Sequence, residues 1–252
     1  MTGEATSSRR SELPCHVAEQ GANWRRDAVV RSSDGGHNRA APLLSFYTAP
    51  ALMPEPFPIA VFLSGGGRTL KNLLQHRDDH DLPIELRLVI SSSAKVAGVQ
   101  IAAEAGIPTQ VVLKSTHSDP VEYCEAMFGP CREAGVELVV MAGFLKHVLI
   151  PDDFIGRVIN IHPSLIPAFC GDGMYGMKVH QAAIDRGVQI SGCTVHYVDN
   201  HYDHGPIILQ RSCPVPPGCT AEQLAAAVFE LECEALPDAI RRVAKSLRTP
   251  QP

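Results

Sequence analysis

Several features are missing from this chain of 252 residues, and each absence narrows its class. No run approaches the ~18 consecutive apolar residues of a membrane-spanning helix, so no membrane association is expected. The N-terminus has no apolar stretch of the kind that marks a secretory signal. None of the eight cysteines forms a CxxC pair, and their spacings match no zinc pattern. They are expected to be reduced thiols in a cytoplasmic protein without a metal. Charged residues make up only 19% and the net charge is −5, which excludes a broad basic face for nucleic acid. A local basic pocket for a phosphorylated small molecule is still compatible, because it needs only a few groups. Walker A, G-x-G-x-x-G and G-x-S-x-G motifs are all absent. What remains is a 45% hydrophobic chain long enough to bury a substantial core.

Residues 1–55 are rich in Ser, Arg, Gly and Asn and show no sustained period; the expectation is a disordered extension, with the folded domain at 56–252. Met53 stands directly before the first convincing strand, so an internal start there is also expected. Ile59-Ala60-Val61-Phe62-Leu63 is the continuous apolar run of a strand covered on both faces. Ser64-Gly65-Gly66-Gly67-Arg68-Thr69 follows, and Leu70, Asn72, Leu73 and Leu74 open a helix. That order gathers backbone N–H groups and a helix N-terminus at one point, which suits a phosphate. Strands are expected at 86–91, 109–113, 136–143 and 158–162, with helices at 96–105 and 120–134 between them. This alternation implies an α/β fold, an open, mostly parallel Rossmann-like sheet with helices on both faces. A further helix at 179–186 precedes strands at 189–198 and 207–210, an antiparallel β pair near the C-terminal end. Thr220 with Gln223 reads as a capping box for a final helix to about Lys245.

The stretch Val158-Ile159-Asn160-Ile161-His162-Pro163 carries the most suggestive chemistry. Asn160 and His162 are two apart and share one face of an extended strand, which Pro163 ends. A carboxamide and an imidazole together can stabilise an oxyanion and move a proton, although they also suit a pair of structural hydrogen bonds. Asp203, in the polar turn between the last two strands, offers the carboxylate that would orient the imidazole, or simply forms the turn. No nucleophile motif is present, so direct group transfer fits better than a covalent intermediate. His196, Tyr197 and His201 are read as packing and surface residues. The spacing of His196, His201, Asp203 and His204 matches no familiar zinc pattern. Cys170 lies in a loop with nothing adjacent to activate it.

Four segments occur in the order seen in one family: Ser64–Leu70, Met141-Ala142-Gly143-Phe144, Asn160-Ile161-His162-Pro163-Ser164-Leu165 and Asp203-His204-Gly205-Pro206 through Gln210. In these the chain resembles phosphoribosylglycinamide formyltransferases, of the folate-dependent formyltransferase superfamily, over about residues 58–245. The resemblance implies formyl transfer from 10-formyltetrahydrofolate, as co-substrate, to the amine of glycinamide ribonucleotide in purine synthesis. It implies Asn160, His162 and Asp203 as the catalytic residues, and Gly67, Arg68 and Thr69 as the phosphate loop. Glu232 would hold the ribonucleotide, while Leu145, Lys146, His147 and Val148, with Asn160, would contact folate. Small-molecule substrates and a monomer or homodimer are expected.

The chain departs from the family in places. Arg68-Thr69 stands where Ser-Asn is frequent, and Asp203-His204-Gly205-Pro206 where Asp-Gly-Gly-Pro is frequent. A folate-contacting Arg on the helix after the second strand is replaced by Ile101 or Ala103, and the loop from Phe169 to Met177 is longer and more apolar. Formyltetrahydrofolate deformylases are the alternative, since they look similar around Ile166–Phe169 and Thr194–Val198. They usually carry His-His-Ser where this chain has His162-Pro163-Ser164. They also have an N-terminal regulatory domain, for which residues 1–55 are too short and irregular. A non-catalytic binder would not need Asn160, His162 and Asp203 together.

Overall fold

A computed structural model describes residues 55–79 and 81–249; the expected extension, apart from residue 55, lies outside the described residues. The strands are β1 (Phe57–Leu63), β2 (Ile84–Ser91), β3 (Thr109–Val111), β4 (Leu138–Met141), β5 (Val158–His162), β6 (Ile190–Tyr197) and β7 (Ile207–Pro214). The helices are α1 (Arg68–Asp78), α2 (Ala97–Glu104), α3 (Pro120–Glu133), α4 (Met177–Arg186) and α5 (Ala221–Arg248). The sheet order is β3-β2-β1-β4-β5-β6-β7, with β1 to β5 parallel and β6 and β7 antiparallel.

The continuous apolar runs are explained by burial on both faces. In β1, Phe57, Ile59, Val61 and Leu63 face one core with residues of α1, α4 and α5, while Ala60 and Phe62 face a second core with α3. Burying a side chain such as Phe62 contributes about 1.5–3 kcal/mol. On the α3 side the aromatic rings form a chain. Phe62 lies 5.5 Å from Phe128 and 5.6 Å from Phe144, and Phe128 lies 5.0 Å from Phe154. Each such pair adds about 0.5–1.5 kcal/mol beyond its area. Phe144 sits just past β4, so this contact anchors the turn that follows.

Helix ends match the expected boundaries within three residues. Thr220 accepts from the Gln223 N–H and Gln223 accepts from the Thr220 N–H, so the capping box forms and α5 runs 28 residues. Strand β7 extends to Pro214, past the expected end at Gln210, because Arg211 to Pro214 pair with Cys193 to Ile190. Its alternating exposure on a sheet edge hid this continuation behind polar residues. Gly192 permits the pairing, since a Cβ there would lie 2.0 Å from the Arg211 carbonyl oxygen.

Candidate active site

Strand order reverses between β1 and β4: β2 and β3 lie to one side of β1, β4 and β5 to the other. A crevice opens at the carboxyl ends of strands at such a switch point. Ser64 ties its two sides together. Its N–H donates to the Gly143 carbonyl at 3.2 Å, and its Oγ accepts the Leu145 N–H at 2.9 Å while pairing with Ser92 Oγ at 2.6 Å. Gly67 then turns the chain into α1 with φ 72°, and a Cβ there would lie 2.6 Å from the Gly98 Cα. Only glycine fits this close approach. Arg68 is therefore the first helical residue, in a turn whose N–H groups lack intrahelical acceptors and suit an anion.

A cleft of about 450 Å³ opens here, lined by Arg68, Thr69, Leu145, Asn160, His162, Asp203 and Glu232 among others. Gly67 is buried beneath the loop and shapes it without lining the cleft. A smaller recess of about 80 Å³ is lined by Lys146, His147, Val148, Asn160, His196 and Asp203. Phe144, Asn160, Tyr202 and Asp203 belong to both, so the two spaces share one wall. Ile101 packs behind the glycine loop and Ala103 is exposed outside the cleft, so neither takes over a ligand contact there.

Three sequence-distant segments converge on that wall. Asn160 Nδ2 lies 3.2 Å from His196 Nε2 and donates to Asp203 Oδ1 at a long 3.5 Å. His196 Nδ1 donates to the Tyr197 carbonyl at 2.7 Å, and its Nε2 faces both Asn160 Nδ2 and, at 3.7 Å, Asp203 Oδ1. His162 Nε2 donates to the Phe169 carbonyl at 2.9 Å, and its Nδ1 faces Asp203 Oδ2 at 3.5 Å. Both polar neighbours of His162 are thus acceptors. Burial lowers its pKa below the usual imidazole value, although Asp203 and the Phe169 carbonyl work the other way. For Asp203 burial works against the charge. The facing His196 ring, His162 and the Gly171 N–H outweigh burial and hold the carboxyl below its ordinary range. Asp203 itself has φ 52°, a left-handed conformation that costs about 1–3 kcal/mol for a residue with a side chain.

The loop after β5 is folded back over this network. Thr194 Oγ1 donates to the Ser164 carbonyl at 2.7 Å and accepts the Ile166 N–H at 3.1 Å, while Gly171 N–H donates to Asp203 Oδ2 at 2.9 Å. Residues Gly171 to Met177 line the cleft. Burial and Asp203 push the Cys170 thiol up, away from nucleophilic character.

The opposite end of the cleft is different. Arg68 lies 3.7 Å over the centroid of the Phe229 ring on α5. A cation at a helix N-terminus is electrostatically misplaced by about 0.3–1 kcal/mol, and the ring offsets about the same amount. Glu232, three residues on, has its carboxyl pushed up to about 7 by burial, with Arg68 opposing. His180 is buried on the cleft wall, and its Nδ1 has no hydrogen-bond partner among the described residues.

Asn160, His162 and Asp203 are therefore brought together, and Arg68, Thr69 and Glu232 gather at the other end. His196 is a correction: read as packing or surface, it is a buried partner of Asn160. The signal was the register, since Asn160 sits directly opposite His196 across β5 and β6. His180 and Phe229 were missed too, having only helical spacing to mark them. The spacing-based histidine group splits up: His196 and Asp203 are in the network, whereas His201 and His204 join Asp199 at the exposed hairpin tip.

Comparison with known proteins fits this geometry. The model of the formyl transferase family matches residues 58–240. A phosphoribosylglycinamide formyltransferase from Haemophilus influenzae is 34% identical, over 73% of this chain and 85% of that protein. The chain belongs to the formyl transferase family, in its phosphoribosylglycinamide formyltransferase branch. A chloroplastic relative from Vigna unguiculata is 39% identical over 69% of this chain and 56% of its own length. The crystal structure of glycinamide ribonucleotide transformylase 1 from Symbiobacterium toebii superposes with a TM-score of 0.70 at 34% identity. It covers 76% of this chain and 89% of that one. The chain spans 56% of the plant relative and 18% of the trifunctional purine biosynthetic proteins it matches. Within the family fold, no helix among the described residues is long and apolar enough to cross a membrane.

Proposed function

We propose that this family member transfers the formyl group of 10-formyltetrahydrofolate directly to the amine of glycinamide ribonucleotide, a step of purine synthesis. One observation carries the reading: Asn160 and Asp203 stand on the wall common to two recesses, and the N-terminal turn of α1, with Arg68 and Thr69, lines the larger one. The ribonucleotide phosphate occupies the first turn of α1 with Arg68 and Thr69, on a loop shaped by Gly67, and Glu232 meets the ribose. The folate lies against Leu145, Lys146, His147, Val148 and Asn160. Residues 56–252 form the formyltransferase domain, in agreement with the family match at 58–240.

The amine nitrogen attacks the formyl carbon, a C–N bond forms, and the carbonyl π pair moves onto oxygen. Asn160 donates to that oxyanion, joined by the Nδ1–H of His162 when its ring is protonated. The long Asn160–Asp203 hydrogen bond of 3.5 Å is the one exchanged for it. Asp203 takes the proton of the new ammonium group, directly or through water, and its charge holds the His162 ring in place. When the oxyanion collapses, the bond to the folate nitrogen breaks and that nitrogen takes up a proton. The products are formylated ribonucleotide and tetrahydrofolate, and no step calls on a metal. The seven described cysteines are free thiols, which supports the cytoplasm as the compartment.

Purified protein with 10-formyltetrahydrofolate, with and without glycinamide ribonucleotide, tests the reading. Tetrahydrofolate release only when the ribonucleotide is present supports it; equal release without the ribonucleotide turns the assignment to the hydrolytic deformylase.

A further inference from the structure

Arg68 is an unusual arginine in this protein. Arg132 directs its fork at Glu125 and Asp153, Arg211 at Glu234 and Asp238, and Arg241 at Asp81 and Asp238. Among the described residues Arg68, like Arg157 and Arg186, forms neither an ion pair nor a side-chain hydrogen bond, and of these three it alone lies over a ring, that of Phe229. It also stands in the first turn of α1, where the helix dipole disfavours a cation and no acidic residue offsets it. Helix stability therefore does not account for an arginine there. A phosphate bound at the same N-terminus would, because it meets the free N–H groups and the guanidinium at once.

The choice of holder matters. A carboxylate would fix the arginine but would neutralise it and repel a phosphate dianion. An aromatic ring fixes one face of the guanidinium and leaves the charge and its five donors unspent. Glu232, three residues beyond Phe229 on α5, lines the cleft without pairing with Arg68 and has its own carboxyl pushed up to about 7, so it competes little for the cation.

We propose that Phe229 is a positioning residue for substrate binding: its ring holds the Arg68 guanidinium at the cleft wall as the cation that receives the substrate's phosphate monoester. The inference rests on the phosphorylated substrate proposed above. Phe229 acts through Arg68 and touches no reacting atom.

A double-mutant cycle on the full chain tests this, read by calorimetric binding of ribose 5-phosphate and by steady-state kinetics. Phe229→Leu keeps apolar bulk but removes the π face. It should weaken ribose 5-phosphate binding and raise KM for the ribonucleotide about fivefold, with kcat and the folate KM unmoved. Phe229→Tyr, which keeps the face, should stay near the native values. Arg68→Ala should cost tenfold or more, and adding Phe229→Leu to it should cost nothing further. Equal losses from Phe229→Leu in both backgrounds, or losses confined to kcat or to folate, would overturn the proposal. Arg68-dependent ribose 5-phosphate binding in a protein that transfers no formyl group keeps the positioning role and removes the proposed reaction. Formyl transfer with no coupling between Arg68 and Phe229 does the reverse. Native protein that binds no ribose 5-phosphate overturns the proposal outright.

Discussion

At one end of the cleft Asn160, His162, His196 and Asp203 hold one another in a closed network. At the other, Arg68 and His180 Nδ1 have no polar partner among the described residues, and Glu232 resists ionisation. The difference follows from what each end must do. Groups that stabilise charge developing during a reaction work best when already oriented, so that no reorganisation accompanies the reaction. Groups that bind a charged ligand lose part of their effect if internal partners already satisfy them. On the proposed function, the closed end serves the chemistry and the open end the capture of substrate.

The largest expected effect breaks the closed end. His162→Ala or Asp203→Ala should lower kcat by about 10² or more with ribonucleotide KM little changed, measured in steady-state assays. Near-native turnover in both would remove the assigned roles. His196→Leu should lower kcat about tenfold, because Asn160 loses the acceptor that orients its carboxamide. The titration of His162, followed by NMR, sharpens the contrast. Its midpoint should lie below the ordinary 6.5, and Asp203→Asn should move it lower still by removing a charge that raises it. At the open end the sign is set by Glu232. A carboxyl raised in the folded state favours the protonated form, so its stabilising contribution is present at low pH and is lost as pH rises from its ordinary 4.5 to about 7. Glu232→Gln should flatten that part of the stability–pH curve in thermal unfolding, and an unchanged slope would count against it. The smallest effect should come from Thr220→Ala, which removes the α5 cap and costs about 1 kcal/mol of stability. Both KM values should hold, since Phe229 and Glu232 lie two turns or more from the cap.

Much of the site was legible because local rules dictate it. Pro163 ends β5 at His162, and a period of two places Asn160 and His162 on one face. The strand, glycine turn and helix order announced α1 and its N-terminal turn, and Thr220 with Gln223 announced α5. The Arg68 and Glu232 roles came through the family resemblance. His196 was not legible, since an imidazole on a buried alternating strand has no mark distinguishing a core residue from a network partner. Phe229 likewise looked like one more apolar residue on an amphipathic helix.

The sequence alone determined the order of strands and helices, the two-sided burial of β1, the glycine turn before α1 and the same-face placement of Asn160 and His162 on β5. These depend on side-chain period, turn chemistry and capping, all of which act within a few residues. Only the tertiary structure decided that β6 sets His196 opposite Asn160, that Asp203 reaches His162, and that Phe229 lies beneath Arg68. Those pairings span 36, 41 and 161 residues of chain. They follow from strand register and from where α5 packs, which are settled by the burial of whole faces rather than by any local preference.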